Sequence, residues 1–127
     1  MKYDDVKKLV TLGLLNKITD RYNDLVDKAE QQYQEWLRNP PRDKWNPAQY
    51  AAELGAPFTE NDRKNVANQL RKMMDEGYVT DPAYNERRRR GIATGHERPK
   101  LSYIQLTPKG VQLALDLIEN GDGSDDA

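Results

Sequence analysis

The sequence predicts a mainly α domain with a small β-hairpin, an α+β chain in which one helix is long and N-terminal and another closes the C-terminal side. Three observations point there. A proline-free stretch carries apolar residues at three- and four-residue spacing, capping residues stand before helix-forming runs at three further places, and only two short runs favour β structure. At 127 residues the chain supports one modest core. With 32% charged residues and a mean hydropathy of −1.01, much of it must be solvated surface.

From about Asp4 to Arg38 the helix-compatible run places Val6, Leu9, Val10, Leu14, Leu15, Ile18, Tyr22, Leu25, Val26, Ala29, Tyr33, Trp36 and Leu37 at helical spacing. Within it Leu15, Ile18, Tyr22, Leu25 and Ala29 alternate by three and four, the seam one helix uses against another. This seam reads as a homodimer interface, with intrachain core as the plainer alternative. Gly13 is the weak point, where the helix begins late or bends. Asn39-Pro40-Pro41 ends it.

Asn46-Pro47 is a cap followed by proline at the first helical position, and Gly55 supplies a stop, so a short helix is expected over about Pro47 to Leu54 with Tyr50, Ala51 and Leu54 inward. Thr59 caps the next helix, with Asp62 as capping-box partner, and the helix should run to Glu76 and stop at Gly77. Tyr78-Val79-Thr80 and Leu101 to Leu106 read as short strands joined by a long, mobile, polar connection. Thr107-Pro108 opens a final helix bearing Val111, Leu113, Ala114, Leu115, Leu117 and Ile118. Three regions result: 1–39 as the dimerising helix, 40–120 as the main domain, and 121–127 as a disordered acidic tail.

The absence of Cys excludes disulfide frameworks, thiolate nucleophiles and cysteine-based metal sites. No apolar run approaches the roughly 20 residues that cross a bilayer, and MKYDDVKK lacks a secretion signal's apolar stretch, so a soluble, cytoplasmic protein is expected. His96 is the only histidine and lies in the polar connection without a fixed partner. No metal-ligand spacing, Walker-type loop or dinucleotide fingerprint occurs. The expectation is therefore a protein that is not an enzyme and needs neither metal nor cofactor.

The net charge of −1 conceals a gradient. Residues 1–58 hold nine basic and nine acidic groups, residues 59–109 eleven and seven, and residues 110–127 none and five. The basic middle matters more than the total, because partner electrostatics act over a Debye length of about 8 Å. On the helix after Thr59, Val66, Ala67, Leu70, Met73 and Met74 make one face, and Asn61, Lys64, Asn65, Asn68, Arg71 and Lys72 the other. Such side chains address base edges and phosphates in a major groove. In the connection, Arg87, Arg88, Arg89, Arg90, Arg98 and Lys100 face only Glu86 and Glu97, a composition suited to the backbone or minor groove. An ordinary solvated face is the alternative for the helix, and an RNA-binding arginine stretch for the connection.

The element order is helix, short helix, tight turn, longer helix, strand, basic loop, strand, helix, which is that of a winged helix-turn-helix. Its residues are Tyr50-Ala51-Ala52-Glu53-Leu54-Gly55, then Val66, Leu70 and Met73, then Asp75-Glu76-Gly77-Tyr78-Val79, and finally the run from Glu97 to Gly110. Over about residues 46–118 the chain resembles transcriptional regulators of the PadR and MarR type, and its last segment is similar to the PadR wing and following helix. The resemblance implies a sequence-specific, homodimeric regulator of double-stranded DNA that represses by occupying its operator. PadR-like proteins dimerise through material after the wing, whereas here the apolar seam precedes the helix-turn-helix. A protein-interaction scaffold, such as an anti-repressor or replication accessory factor, is the competing reading, alongside RNA binding. Trp36, Trp45, Tyr33 and Tyr22 are expected to pack the junction between the N-terminal helix and the rest, with an effector pocket as the alternative. Nothing in the chain indicates a small-molecule effector.

Overall fold

The N-terminal apolar residues do not form a single stripe, and that decides the architecture. A computed structural model describes residues 2–21, 25–39 and 43–121. Helix α1 (Tyr3–Arg21) buries Val6, Leu9, Val10, Leu14, Leu15 and Ile18. At 100° per residue Val6 and Leu15 point to opposite sides of the helix, and a helix apolar on opposite sides must sit inside a fold. Accordingly α1 packs on α3 (Pro47–Glu53), α4 (Glu60–Asp75), α6 (Pro108–Asp116) and strand β2 (Gln105–Leu106). Its buried Thr11 is satisfied locally, donating to the Lys7 carbonyl at 2.6 Å.

Two expectations for this stretch are corrected. The run from Asp4 to Arg38 is not one helix but α1 and α2 (Leu25–Arg38), and α2 packs on α5 (Pro82–Arg89) and α6. Residues 22–24, between the two helices, lie outside the described part. The second correction concerns the seam: Leu15 and Ile18, 5% and 1% exposed, are core of the chain itself and cannot line a partner-facing strip. Ala29 is half-buried against the same core. Tyr22 and the side chain of Leu25 lie outside the described part. Gly13 does not delay α1, which starts at Tyr3 and runs through it. A Cβ there would stand 3.0 Å from Cγ of Tyr50, so the glycine admits the Tyr50 ring from α3.

The core is continuous across the division at residue 40, joining Val6, Val10, Leu14, Leu15, Ile18 and Trp36 to Trp45, Val66, Leu70, Met73, Val79, Ile104, Leu106, Val111 and Ala114. Trp36 and Trp45 are buried, Trp45 stacking on Tyr50 at 6.2 Å, and Tyr33 is half-buried against the core. Trp36 and Trp45 are thus packed interior, while Tyr22 lies outside the described residues. The notional acidic tail, 122–127, lies outside the described residues, while Gly121 ends a wide helical turn, Leu117–Gly121, that extends α6.

Each capping signal has its expected role. Asn46 accepts from the Gln49 N–H ahead of α3, and Gly55 takes φ +73° after it. Leu54, expected to face inward, is 60% exposed at the C-cap. Strands β1 (Val79–Thr80) and β2 pair antiparallel, Val79 opposite Leu106 and Thr80 opposite Gln105. The ladder is shorter than the expected strands, and Leu101–Tyr103 forms a 3₁₀ turn instead of strand. The protein is therefore mainly helical with one small two-stranded sheet. Among the described residues no helix is long and apolar enough to cross a membrane.

A tight joint fixes the end of α4 against the start of α6. The Thr107 hydroxyl caps α6 through the Gly110 N–H and donates to the Gly77 carbonyl, while Lys109 Nζ reaches the Glu76 carbonyl at 2.8 Å. Gly110 is obligatory here: a Cβ would lie 2.1 Å from the Tyr78 carbonyl oxygen.

Candidate nucleic-acid interface

Helix α4 is anchored at both ends and along one side. Thr59 and Asp62 close a reciprocal capping box, with the Thr59 N–H on the Asp62 carboxylate at 2.9 Å and the Asp62 N–H on the Thr59 hydroxyl at 3.2 Å. The Thr59 N–H, and with it the Thr59 hydroxyl donating to the same oxygen, hold the Asp62 carboxyl below the usual carboxylate range. Val66, Leu70 and Met73 are buried, and the joint at Gly77 fixes the C-terminal end.

The opposite face is open. Asn61, Lys64, Asn68, Arg71 and Lys72 are exposed and Asn65 is half-buried. Lys64, Asn68, Arg71 and Asp75 follow the i, i+4, i+7, i+11 line of one helical stripe. Among the described residues Lys64 and Arg71 form no ion pair with Asp75 or any other carboxylate. Lys72 differs from them: its ammonium sits 4.0 Å from the Tyr3 ring centroid, with Lys7 at 4.8 Å from the same ring. The Tyr3 hydroxyl in turn donates to Glu76, and burial together with that bond raises its pKa well above the phenol range. Lys72 therefore belongs to a contact between α1 and α4 as much as to the open face.

The arginine run is not in a mobile loop. Asp81 caps α5 by accepting from the Ala83 and Tyr84 N–H groups, Pro82 occupies the first turn, and Gly91 at φ +74° ends it, so Arg87, Arg88 and Arg89 form its last turn and Arg90 its C-cap. The other oxygen of buried Asp81 accepts from the Lys100 N–H at 2.8 Å, tying the returning chain to the helix start. Glu86 lies at i−3 from Arg89 and i−4 from Arg90 and accepts from both. The Arg89 guanidinium, with that of Arg90, holds the Glu86 carboxyl below its ordinary range, and the Arg89 pKa rises in response. Arg87 donates to Glu97 at 2.6 Å. Arg88, Arg98 and Lys100 are exposed without ion pairs among the described residues. His96 is exposed nearby.

The sequence reading missed Glu86 and Asp81 as organisers of this region. The signal was present: Asp81-Pro82 followed by Gly91 repeats the pattern of Asn46-Pro47 and Gly55. Elsewhere, a cleft of about 500 Å³ beside the α4 N-terminus is lined by Leu9, Leu12, Leu54, Ala56 and Pro57, with Asp5, Lys8 and Asp62 also in its wall. No cluster of three or more His, Cys, Asp or Glu suited to a metal ion occurs among the described residues. Comparison of the chain with protein families, with curated proteins and with solved structures finds no match in any of the three.

Proposed function

We propose that the protein binds double-stranded DNA through the open face of α4, in the manner of a winged helix-turn-helix, and represses transcription as a homodimer occupying a specific site. The observation that carries the reading is the stripe Lys64, Asn68 and Arg71 on a helix rigidly capped at Thr59 and buried through Val66, Leu70 and Met73. A cationic stripe without internal carboxylate partners has its charge available to phosphates, and its amides suit base edges. Short helix α3 precedes it across the Leu54–Thr59 turn, as a helix-turn-helix requires. Arg88, Arg98 and Lys100 supply additional free charge.

Two copies would read half-sites about 34 Å apart. Leu15 and Ile18 being core, the dimer would form on surface other than that part of the seam. With about ten phosphate contacts per dimer, log affinity for a duplex should fall with log salt at a slope near −9. Titrating duplex, single-stranded DNA and structured RNA across salt tests this. Duplex preference with a steep slope supports it, whereas salt-insensitive association or stronger binding to RNA contradicts it.

A further inference from the structure

Glu86 is a carboxylate with an unusual position: it is only 8% exposed, yet immediately precedes the run of four arginines that ends α5. Burying it costs solvation that its two guanidinium partners return. One carboxylate cannot neutralise two guanidinium groups, so the trio keeps a positive charge. Its geometry leaves donors unused. Of the five N–H groups on each arginine, Arg89 engages Glu86 through Nε and one terminal nitrogen, and Arg90 through Nε alone. Both side chains remain mostly exposed, at 68% and 61%. Arg88, which directly precedes them in sequence, has no ion pair among the described residues. The backbone beneath is also fixed, by the Asp81 cap and by the Arg87 to Glu97 bond.

We propose that Glu86 is a positioning residue: its buried carboxylate holds the Arg89 and Arg90 guanidinium groups in place so that their remaining N–H groups, with Arg88, form a prearranged fork for the phosphodiester backbone. The inference rests on the DNA reading above and adds a second, sequence-independent contact on α5. A guanidinium already fixed in orientation loses less freedom on meeting a phosphate than one on a free side chain. Glu86 thus strengthens binding to a polyanion although it carries negative charge. Coulomb attraction alone demands the reverse, and this opposition of sign makes the proposal testable.

The experiment measures affinity for a fluorescent random-sequence duplex at fixed salt, for the wild type, Glu86→Gln, Arg89→Ala/Arg90→Ala and the triple variant. Glu86→Gln should bind about three- to tenfold more weakly despite its extra positive charge, and the triple variant no more weakly than Arg89→Ala/Arg90→Ala, because Glu86 acts through those two side chains. Unchanged or tighter binding by Glu86→Gln overturns the proposal. Arg89→Lys/Arg90→Lys keeps the charge but not the planar fork. It should weaken binding comparably and serves if Glu86→Gln loses its cooperative melting transition; wild-type affinity in that variant is equally fatal. Lys64→Glu/Arg71→Glu separates the two readings. If it abolishes binding while the Glu86 and lysine variants are neutral, α4 stands and the α5 fork falls. Duplex binding that survives Lys64→Glu/Arg71→Glu but depends on Arg89 and Arg90 has the opposite meaning, and a wild type that ignores duplex overturns both.

Discussion

Helices α4 and α5 are built from the same local rules yet present their cations differently. Each starts at a side-chain cap, Thr59 or Asp81, and each ends before a glycine with positive φ, Gly77 or Gly91. On α4 the basic residues Lys64 and Arg71 share a stripe with Asn68 and have no carboxylate one turn away that pairs with them. On α5 Glu86 stands one turn before Arg89 and Arg90, and Glu97 returns to Arg87. Lys64 has Glu60 at i−4 and Arg71 has Asp75 at i+4 without pairing, whereas Glu86 closes on Arg89 and Arg90, so the pairing of a neighbouring carboxylate, not the number of basic residues, separates free charge from organised charge. A run of four arginines is thereby the less available surface per residue, and a sparser stripe the more available one.

The sharpest way to break the comparison is to detach α4 from the joint that orients it. Gly110→Ala drives a methyl into the Tyr78 carbonyl and should cost about 3 kcal/mol, read as a lowered denaturation midpoint with reduced duplex affinity. If stability is unchanged, the joint is not what holds α4. Next in size, Lys64→Glu/Arg71→Glu should weaken duplex binding at least about 30-fold, close to 2 kcal/mol, with an unaltered melting temperature. Equal weakening by Arg88→Ala alone would erase the distinction between the helices. Thr59→Ala removes one side of the capping box and should cost about 1 kcal/mol, measured by chemical denaturation.

Acid offers a gentler probe. Asp62 and Glu86 both have lowered carboxyl pKa values, so each stabilises the fold fully above the ordinary carboxylate range and ceases to do so as pH falls through its lower folded-state value. Stability followed by denaturant titration should decline below about pH 4, and Glu86→Gln should flatten part of that decline. An identical acid profile in the variant would show that Glu86 is not coupled to its arginines. The smallest effect is expected from Lys72→Ala. Its ammonium is shared with the Tyr3 ring, so duplex affinity should fall less than for Arg71→Ala.

Local grammar was legible in this chain and long-range packing was not. Asn46-Pro47, Thr59 with Asp62, and Thr107-Pro108 mark helix starts because each satisfies backbone donors within a few residues. The exposed face of α4 followed from the same periodicity that identified Val66, Leu70 and Met73 as buried. The connection containing the arginines was misread as mobile loop because its charge drew attention away from Asp81-Pro82 and Gly91, which bracket a helix. Leu15 and Ile18 show a different limit. Spacing by three and four identifies a buried face, but whether a partner chain or the chain's own α-helices cover it depends on contacts distant in sequence. Gly13 and Gly110 are similar cases: the side chain or carbonyl that each accommodates, from Tyr50 or Tyr78, is more than 30 residues away.

The central claim is that DNA meets the open face of α4, and the most direct measurement is an amide chemical-shift map of the ¹⁵N-labelled protein titrated with a random-sequence duplex. The account predicts the largest shifts at Asn61, Lys64, Asn68 and Arg71, smaller ones at Arg88 to Arg90, and reversal of both as salt is raised. Shifts absent from α4, or insensitive to salt, would contradict it.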